Sequence, residues 1–146
     1  MNITGDYIVD VLDGMKEFCD EVGYTYFPER AYHAVIHYME AYSCDILIEV
    51  VDGTAAAAAI VQYDDMYHYE RTGLIAKFYV RKPYRGTPVA RNLMKKVQKW
   101  FDDNDCIFSD AVVNGGLDVD PLTYNLFRKF GFENDGLRLR RYYNTM

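Results

Sequence analysis

Apolar side chains recur every three or four residues along the first forty residues of the chain. This spacing places them on one side of a helix, so it predicts an amphipathic helix over residues 4–22 and a second helix after Pro28. Gly23 would end the first helix, and a proline suits the first turn of the second. The two apolar stripes consist of Ile8, Val11, Leu12, Met15, Phe18, Cys19 and Val22, and of Tyr32, Val35, Ile36, Met39 and Tyr42.

The pattern then changes to short β-branched runs that are separated by turn residues. Residues 45–52 and 54–63 predict two strands joined at Asp52-Gly53, because glycine tolerates the positive φ that tight hairpin turns require. Residues 67–80 predict a third strand.

The second of these strands contains five consecutive alanines, which by themselves would favour a helix. The hairpin signal before it, and Ile60-Val61 at its end, favour a strand instead. The short alanine side chains would leave a shallow sheet face on which a helix or a ligand could lie close. Gly73 interrupts the next strand, which we therefore expect to be bulged or broken near that residue.

The second half of the chain predicts helix, strand, helix and strand in turn. Thr87 can cap the first of these helices, Pro88 suits its first position, and the strand after it is expected to be buried. The predicted elements are residues 87–103, 106–113, 121–130 and 137–143. The full order, α α β β β α β α β, requires at least one parallel crossover and predicts an α/β (α+β) fold with a mixed sheet. At 146 residues, the chain is expected to form one domain over 1–146.

Charge is distributed unevenly along the chain, whose formal net charge is −6. Residues 1–70 carry two basic residues against fourteen acids, whereas residues 71–101 carry nine basic residues and no acid. Such a basic stretch suggests an anionic ligand on that side, although a solvated basic helix face is the alternative. A pI of about 5.0 argues against a protein that binds nucleic acid as its main activity.

Several classes of protein are excluded or disfavoured by composition. No stretch approaches the ~20 apolar residues of a membrane span, and the N-terminus is unlike a signal peptide, so we expect no membrane partner. Three scattered cysteines are too few for a disulfide framework or a zinc site, which fits a reduced, cytoplasmic setting. His33 and His37 have helical i, i+4 spacing but no third ligand, so no metal is expected.

The most informative stretch joins a predicted strand, which ends at Val80, to the helix that begins at Thr87 or Pro88. The loop between them carries Arg85-Gly86. A helix N-terminus presents unpaired N–H groups and the positive end of the helix dipole, and glycine lets an anion approach the backbone closely. The junction therefore predicts a phosphate-binding site.

Residues 80–90 resemble the acetyl-CoA loop of the GCN5-related N-acetyltransferases (GNAT), V-x-P-x-Y-R-G-x-G-x-G/A. In this chain the core of that motif reads Arg85-Gly86-Thr87-Pro88-Val89-Ala90. Residues 126–132 are similar to the family's L-Y-x-K-x-G-F, and the order of elements is similar too. Residues 78–87 also resemble short phage-encoded members, whose setting would be a host cytosol.

This resemblance implies a mostly antiparallel GNAT-like sheet flanked by helices, and acetyl transfer from acetyl-CoA to a primary amine. Backbone amides of the first strand would polarise the thioester carbonyl, and amides of the loop would hold the pyrophosphate. The residues that the resemblance assigns to acetyl-CoA are Phe78, Tyr79, Val80, Arg85, Gly86, Thr87, Val89, Ala90 and Arg91.

Two positions depart from the family pattern. Pro88 replaces a glycine and has no N–H, so one donor to the pyrophosphate is missing. Phe127 stands where the family often has a tyrosine that protonates the departing CoA thiolate, and Tyr124 is the candidate to replace it. Glu70 is the leading candidate to accept the proton of the acceptor amine. The alternatives to Glu70 are His68, Asp64 and Asp65.

The acceptor and the partners are less defined by the sequence. An acid-rich first half favours a cationic amine such as a polyamine, an amino sugar, a lysine side chain or a peptide N-terminus. A homodimer is left open. One alternative is an interaction protein with the same fold that has lost catalysis. Pro88 and Phe127 favour this alternative. A nucleic-acid-directed protein that uses residues 71–101 is a weaker alternative.

Overall fold

The structure is a computed structural model that describes residues 5–65, 70–112, 121–136, 139–141 and 143. It divides into two compact units, residues 1–112 and 113–146. The described elements of the first unit are α1 (Gly5–Val22), α2 (Pro28–Glu40), β1 (Cys44–Val51), β2 (Thr54–Asp64), β3 (Arg71–Val80), a 3₁₀ turn (Lys82–Tyr84), α3 (Val89–Asp103) and β4 (Cys106–Ala111). The second unit contains α4 (Pro121–Lys129).

The four strands form one sheet in the order β1-β2-β3-β4. β1, β2 and β3 are antiparallel neighbours, and β4 lies parallel to β3 because α3 carries the chain back across the sheet. The hairpin turn between β1 and β2 has positive φ at Asp52 (51°) and at Gly53 (78°), as the sequence predicts. The mixed, mostly antiparallel sheet flanked by helices is therefore confirmed.

The alanine run is the centre of the sheet, which confirms that it is a strand. Ala58 and Ile60 pack toward α1 and α2, together with Val11 and Val35 of these helices. Because side chains alternate along a strand, Ala59 and Val61 face the opposite side, where α3 lies. Four of the five alanines are buried and Ala58 is partly buried, because helices cover both faces. Two helices can approach this strand closely since five of its eleven side chains are single methyl groups.

Gly73 has a different role from the predicted one. Against β2 the irregularity of β3 lies at Ala76, because Ile60 pairs with Lys77 whereas Val61 pairs with Ile75. Against β4 the register shifts between Arg71 and Thr72. Gly73 itself pairs regularly, and a Cβ at this position would overlap the ring of Phe101 from α3. The glycine is needed for close packing of a helix on the strand, not for a break in the strand.

β3 begins later and β4 is more exposed than the sequence predicts. Residues 67–69 of the predicted third strand lie outside the described residues, and Glu70 lies in a bend. Ile107 and Phe108 of β4 are 54% and 49% exposed, so the prediction of a buried strand is wrong there. Within the described part of the chain β4 pairs with β3 alone, which leaves these side chains half uncovered. Val113 lies outside the described residues.

The second unit contains the predicted helix, which ends at Lys129. Gly131 follows it with a φ of +91°. Phe127 is buried and stacks on Phe132 with ring centroids 5.1 Å apart. Of the predicted closing strand, residues 139–141 and 143 are described and have no regular secondary structure, whereas the remainder lies outside the described residues. None of the helices in the described ranges is long and apolar enough to cross a membrane.

Candidate active site

The loop between β3 and α3 is built by a sequence of tight backbone turns. The 3₁₀ turn Lys82–Tyr84 follows β3, and Gly86 then reverses the chain with a φ of +79°, a value that favours glycine. α3 is helical from Val89, and Pro88 precedes it with helical dihedrals of −65° and −4°. Pro88 is therefore the N-cap residue and no side chain caps α3, so the prediction that Thr87 is the cap and Pro88 the first helical residue is off by one position. Thr87 Oγ1 still accepts a hydrogen bond from the Val89 amide at 3.4 Å.

Backbone N–H groups converge at this junction. Among the described residues, the amides of Gly86, Thr87, Ala90 and Arg91 donate to no backbone acceptor. Pro88 has no N–H, and the Val89 amide is engaged by Thr87, so Val89 is a weaker donor than the sequence suggested. The positive end of the α3 dipole adds to these N–H groups, and together they fit a phosphate group.

Among the described residues, β3 has no strand partner on its outer edge beyond the end of the β3–β4 ladder, and this stretch is called the open edge. That ladder stops at Ile75–Ala111, whereas β3 continues to Val80. The Arg81 amide donates to the Ala56 carbonyl on β2 at 2.9 Å. Because N–H directions alternate along a strand, the amides of Phe78 and Val80 point to the edge away from β2. The Val80 carbonyl confirms this direction, since it accepts from Arg85 Nε at 3.0 Å.

Tyr79 lies between these two residues and faces the other way. By the same alternation its amide points toward β2, so it does not offer a backbone donor at the open edge. Its ring packs edge-on against Phe18 of α1, with centroids 5.8 Å apart, and its hydroxyl donates to Glu21 Oε1 at 2.8 Å. Tyr79 therefore joins the strand to α1.

Most of the basic residues in the acid-free stretch pair with carboxylates of this chain. Five of the nine form ion pairs, and four of the partner acids come from residues 1–70. The pairs are Arg71–Asp65, Arg81–Glu17, Arg85–Glu21, Lys96–Glu49 and Lys99–Asp103. Much of the positive charge of residues 71–101 is therefore neutralised by the acidic residues of the first half of the chain. Lys82, Arg91 and Lys95 are exposed and have no carboxylate within ion-pair distance in the described residues.

Arg85 is tied to the end of α1. Its Nη2 donates to Glu21 Oε1 at 2.6 Å, and its guanidinium lies 5.3 Å from the centroid of the Tyr79 ring. Burial alone would raise the pKa of the Glu21 carboxyl, but hydrogen bonds from Arg85 and Tyr79 outweigh burial and hold this pKa below its ordinary value. Burial, and then the hydrogen bond to Glu21, raise the pKa of the Tyr79 phenol, which stays protonated as a donor at neutral pH.

An open groove of about 210 Å³ lies across β2, β3 and β4, next to the point where the ladder ends. Asp110 lies opposite Leu74, one pair before the last pair of the ladder. A carboxylate at this position can hold a cationic group. Asp110 is not among the predicted site residues, although Ser109-Asp110 is a polar pair near the end of an otherwise apolar strand. The groove is lined by Gln62, Tyr63, Asp64, Thr72, Gly73, Leu74 and Asp110.

The predicted proton acceptors fall at different distances from the open edge. Glu70 is exposed in the bend before β3, eight residues from Phe78, which is about 26 Å along an extended strand. Asp64 lines the groove, and Asp65 pairs with Arg71 at 3.5 Å. His68 lies outside the described residues. Within those residues, no three His, Cys, Asp or Glu side chains come together as a metal site requires.

Tyr124 and Phe127 lie on α4 in the second unit. The Tyr124 hydroxyl donates to Asn134 Oδ1 at 3.3 Å, and the residue is half-buried. Phe127 is buried against Phe132, as described above. The side chain that takes the place of the family's tyrosine therefore has an apolar packing role within this unit.

Comparisons with known proteins agree with this geometry. Residues 12–132 match the model of the Acetyltransferase (GNAT) family, and the chain belongs to this family. Its members are acyltransferases that use acetyl-CoA. Among curated proteins, none matches the chain in sequence.

Solved structures share the fold at low sequence identity. A probable acetyltransferase is similar with a TM-score of 0.80 and 11% identity, covering 100% of this chain and 96% of that one. An aminoglycoside 6'-N-acetyltransferase from Acinetobacter haemolyticus has a TM-score of 0.77, 12% identity, and coverages of 100% and 98%. An aminoglycoside N-acetyltransferase in complex with CoA has a TM-score of 0.77, 17% identity, and coverages of 100% and 92%.

Proposed function

We propose that this protein transfers an acetyl group from acetyl-CoA to a primary amine of a cationic acceptor. The observation that carries the proposal is that the open edge of β3 lies next to the amides at the start of α3 that donate to no backbone acceptor. The open edge can hold the acyl end of an extended ligand, and the amides can hold its phosphates. Membership of the GNAT family supports the same assignment.

The pyrophosphate of acetyl-CoA would lie at the loop. Amides of Gly86, Thr87, Ala90 and Arg91 would donate to its oxygens, and the side chains of Lys82 and Arg91 would add positive charge. Charge-assisted hydrogen bonds of this kind contribute about 1.5–3 kcal/mol each. Four donors with two cations give the loop enough contacts to hold a phosphate group although Pro88 offers none.

The thioester carbonyl would lie against the open edge of β3. The Phe78 and Val80 amides point to this edge, and a hydrogen bond from one of them would polarise the carbonyl and stabilise negative charge on its oxygen. The amine nitrogen then attacks the carbonyl carbon, a C–N bond forms, the C–S bond breaks, and CoA leaves as a thiolate. Tyr124 is proposed to supply the proton that this thiolate takes up.

The acceptor would bind in the groove beside the opening of the ladder. A primary amine is an ammonium at neutral pH and must lose a proton before it attacks. Asp110 is opposite Leu74, four residues or about 13 Å from Phe78, whereas Glu70 is twice as far along the strand. We therefore prefer Asp110 over Glu70 as the carboxylate that receives a cationic group of the acceptor, while the attacking amine gives its proton to solvent water.

A distance of this size favours an acceptor with more than one amino group. One amine could then contact Asp110 while another reaches the carbonyl, as a polyamine or an amino sugar would allow. Two structures with a similar fold are aminoglycoside acetyltransferases, which supports an amino sugar as one candidate. The family model spans both structural units, which supports a single domain over 1–146.

The test is release of the CoA thiol from acetyl-CoA in the presence of a panel of amines: a polyamine, an aminoglycoside, a lysine peptide and a monoamine of similar size. We expect release with the first two and a lower rate with the monoamine. Asp110→Asn should raise KM for the polyamine more than for the monoamine, with Asp105→Asn as a control outside the groove. Absence of release with every amine, while acetyl-CoA still binds, would contradict the catalytic assignment.

A second candidate function is an interaction protein on the same fold that binds CoA without turnover. Pro88 and the buried Phe127 favour it, because both depart from residues that help binding and catalysis in the family. It predicts CoA binding but no thiol release with any amine or protein acceptor. A nucleic-acid-directed function is weakened, because five of the nine basic residues already pair with carboxylates.

A further inference from the structure

We infer that Glu21 and Arg85 form a strut between α1 and the phosphate loop, and that Lys82 and Arg91, instead of Arg85, contact the pyrophosphate. The assignment of Lys82 and Arg91 to the pyrophosphate rests on the proposed function. The strut between Glu21 and Arg85 concerns the protein without a ligand. Arg85 is thus a positioning residue, although it occupies the first position of the cofactor motif.

The geometry of Arg85 supports this role. Nε donates to the Val80 carbonyl at 3.0 Å, and Nη2 donates to Glu21 Oε1 at 2.6 Å. The first bond closes the loop onto the end of its own strand, and the second fixes the loop to α1. Two nitrogens of the planar guanidinium are bound to protein oxygens, so its orientation is set by protein groups before any ligand binds.

Glu21 is held from two sides. Its Oε1 accepts from Tyr79 Oη at 2.8 Å as well as from Arg85, and the Tyr79 ring is packed against Phe18 of the same helix. One turn earlier, Glu17 Oε2 lies 2.7 Å from Arg81 Nε. The last turns of α1 therefore contact the loop at both of its ends, which is more than an isolated surface ion pair provides.

Charge distribution identifies the phosphate ligands. A carboxylate 2.6 Å from Arg85 neutralises this arginine and would repel a pyrophosphate placed on it. Lys82 and Arg91 are exposed on the two sides of the loop and have no carboxylate within ion-pair distance among the described residues. Their positive charge remains available to an anion.

The two roles of Arg85 predict opposite effects of removing the Glu21 charge. If Arg85 binds phosphate directly, Glu21→Gln frees it and tightens CoA binding. If Arg85 is a strut, the same change loosens the loop and weakens CoA binding. Asp20→Asn is the matched control, because it removes one negative charge from an adjacent exposed residue that makes no contact with the loop in the described structure.

The experiment measures CoA affinity by calorimetry, and the thermal midpoint without ligand, for Glu21→Gln, Glu21→Ala, Arg85→Ala and the Glu21→Ala/Arg85→Ala double variant. The strut predicts that each single change weakens CoA binding about tenfold, and that the double variant is no worse, because the two residues act as a unit. It also predicts that each lowers the midpoint by about 2–4 °C. Lys82→Ala and Arg91→Ala should weaken CoA binding about tenfold, reduce its salt dependence, and leave the midpoint unchanged.

Exchange of the two charges gives an independent check. Glu21→Arg combined with Arg85→Glu should recover most of the midpoint and of the CoA affinity if the pair is a strut. If Arg85 is a phosphate ligand, the exchange places a carboxylate on the phosphate and CoA binding is lost. Tighter CoA binding by Glu21→Gln, or additive midpoint changes in the double variant, would overturn the inference. Failure of the wild-type protein to bind CoA would contradict the proposed function and leave the midpoint measurements as the test of the strut.

Discussion

The ring of Phe101, in the last turn of α3, lies so close to the backbone of Gly73 that a Cβ at this position would overlap it. This contact fixes the C-terminal part of α3 on β3, the strand whose far end forms the open edge of the candidate site. The start of α3 forms the phosphate loop. One helix therefore links the packing of the core to the position of the loop amides.

Gly73→Ala should destabilise the protein by about 1–3 kcal/mol, because the added methyl group forces the Phe101 ring or the strand to move. Gly14→Ala in α1 is the matched control, since a Cβ there meets Tyr79 at an ordinary 3.7 Å. That change should stabilise the helix by about 0.5–1 kcal/mol. Denaturant unfolding measures both, and equal stability of the two variants would contradict this account of Gly73.

Pro88→Ala should tighten CoA binding by a few-fold, because it restores an N–H at the start of α3 while keeping good helix propensity. Pro88→Gly restores the same donor with more backbone freedom, so its gain should be smaller. Pro83→Ala, in the preceding 3₁₀ turn, is the control for losing a proline from the loop. Unchanged affinity in both Pro88 variants would mean that this backbone position does not face the phosphates.

Tyr124→Phe should lower turnover by up to about 10²-fold if its hydroxyl protonates the thiolate. Affinity for CoA should stay the same, because the change removes one oxygen and leaves the ring. Tyr143→Phe is the control, since that tyrosine is 72% exposed. An unchanged rate of thiol release in Tyr124→Phe would show that the proton comes from elsewhere, and Phe127→Tyr then tests whether the family's usual position can supply it.

The Glu21 strut should also give a defined pH dependence. Its pKa in the folded protein is below the ordinary value of 4.5, so its contribution to stability is fully present above that value and is lost as pH falls through the folded pKa. The difference in thermal midpoint between the wild-type protein and Glu21→Gln should therefore be constant near neutrality and shrink in acid. A difference that persists unchanged at pH 3 would contradict the role of the charged carboxyl.

Local signals in the sequence were sufficient for most of the fold. The hairpin at Asp52-Gly53, the helix start within two residues of Thr87 and the alanine strand all follow from residues that are adjacent in the chain. The strand prediction over the alanines succeeded because the turn before them outweighed their helix propensity. The same local signals predicted the loop between β3 and α3, because a strand end, a glycine and a predicted helix start fall within eight residues.

Long-range contacts could not be predicted in the same way. The acidic partners of Arg85 and Lys96 lie 64 and 47 residues away in the chain, so the basic stretch by itself predicts either an anionic ligand or a solvated face and gives no sign of its pairing within the protein. The sequence predicts a bulge or break near Gly73 and not its packing role, because the Phe101 ring that covers this glycine belongs to another element. Asp110 was missed because its relevance depends on the residue opposite it on β3.

The most direct test of the central claim is a calorimetric titration of the wild-type protein with CoA and with pantetheine, which lacks the pyrophosphate. The account predicts a Kd for CoA on the order of micromolar, and binding of pantetheine at least 100-fold weaker, as expected from the loss of two to three charge-assisted contacts at about 1.5 kcal/mol each. It also predicts that the double variant Lys82→Ala/Arg91→Ala shows a smaller ratio between the Kd values for pantetheine and CoA. Equal affinity for CoA and pantetheine, or no binding of CoA, would contradict the assignment of the loop as a pyrophosphate site.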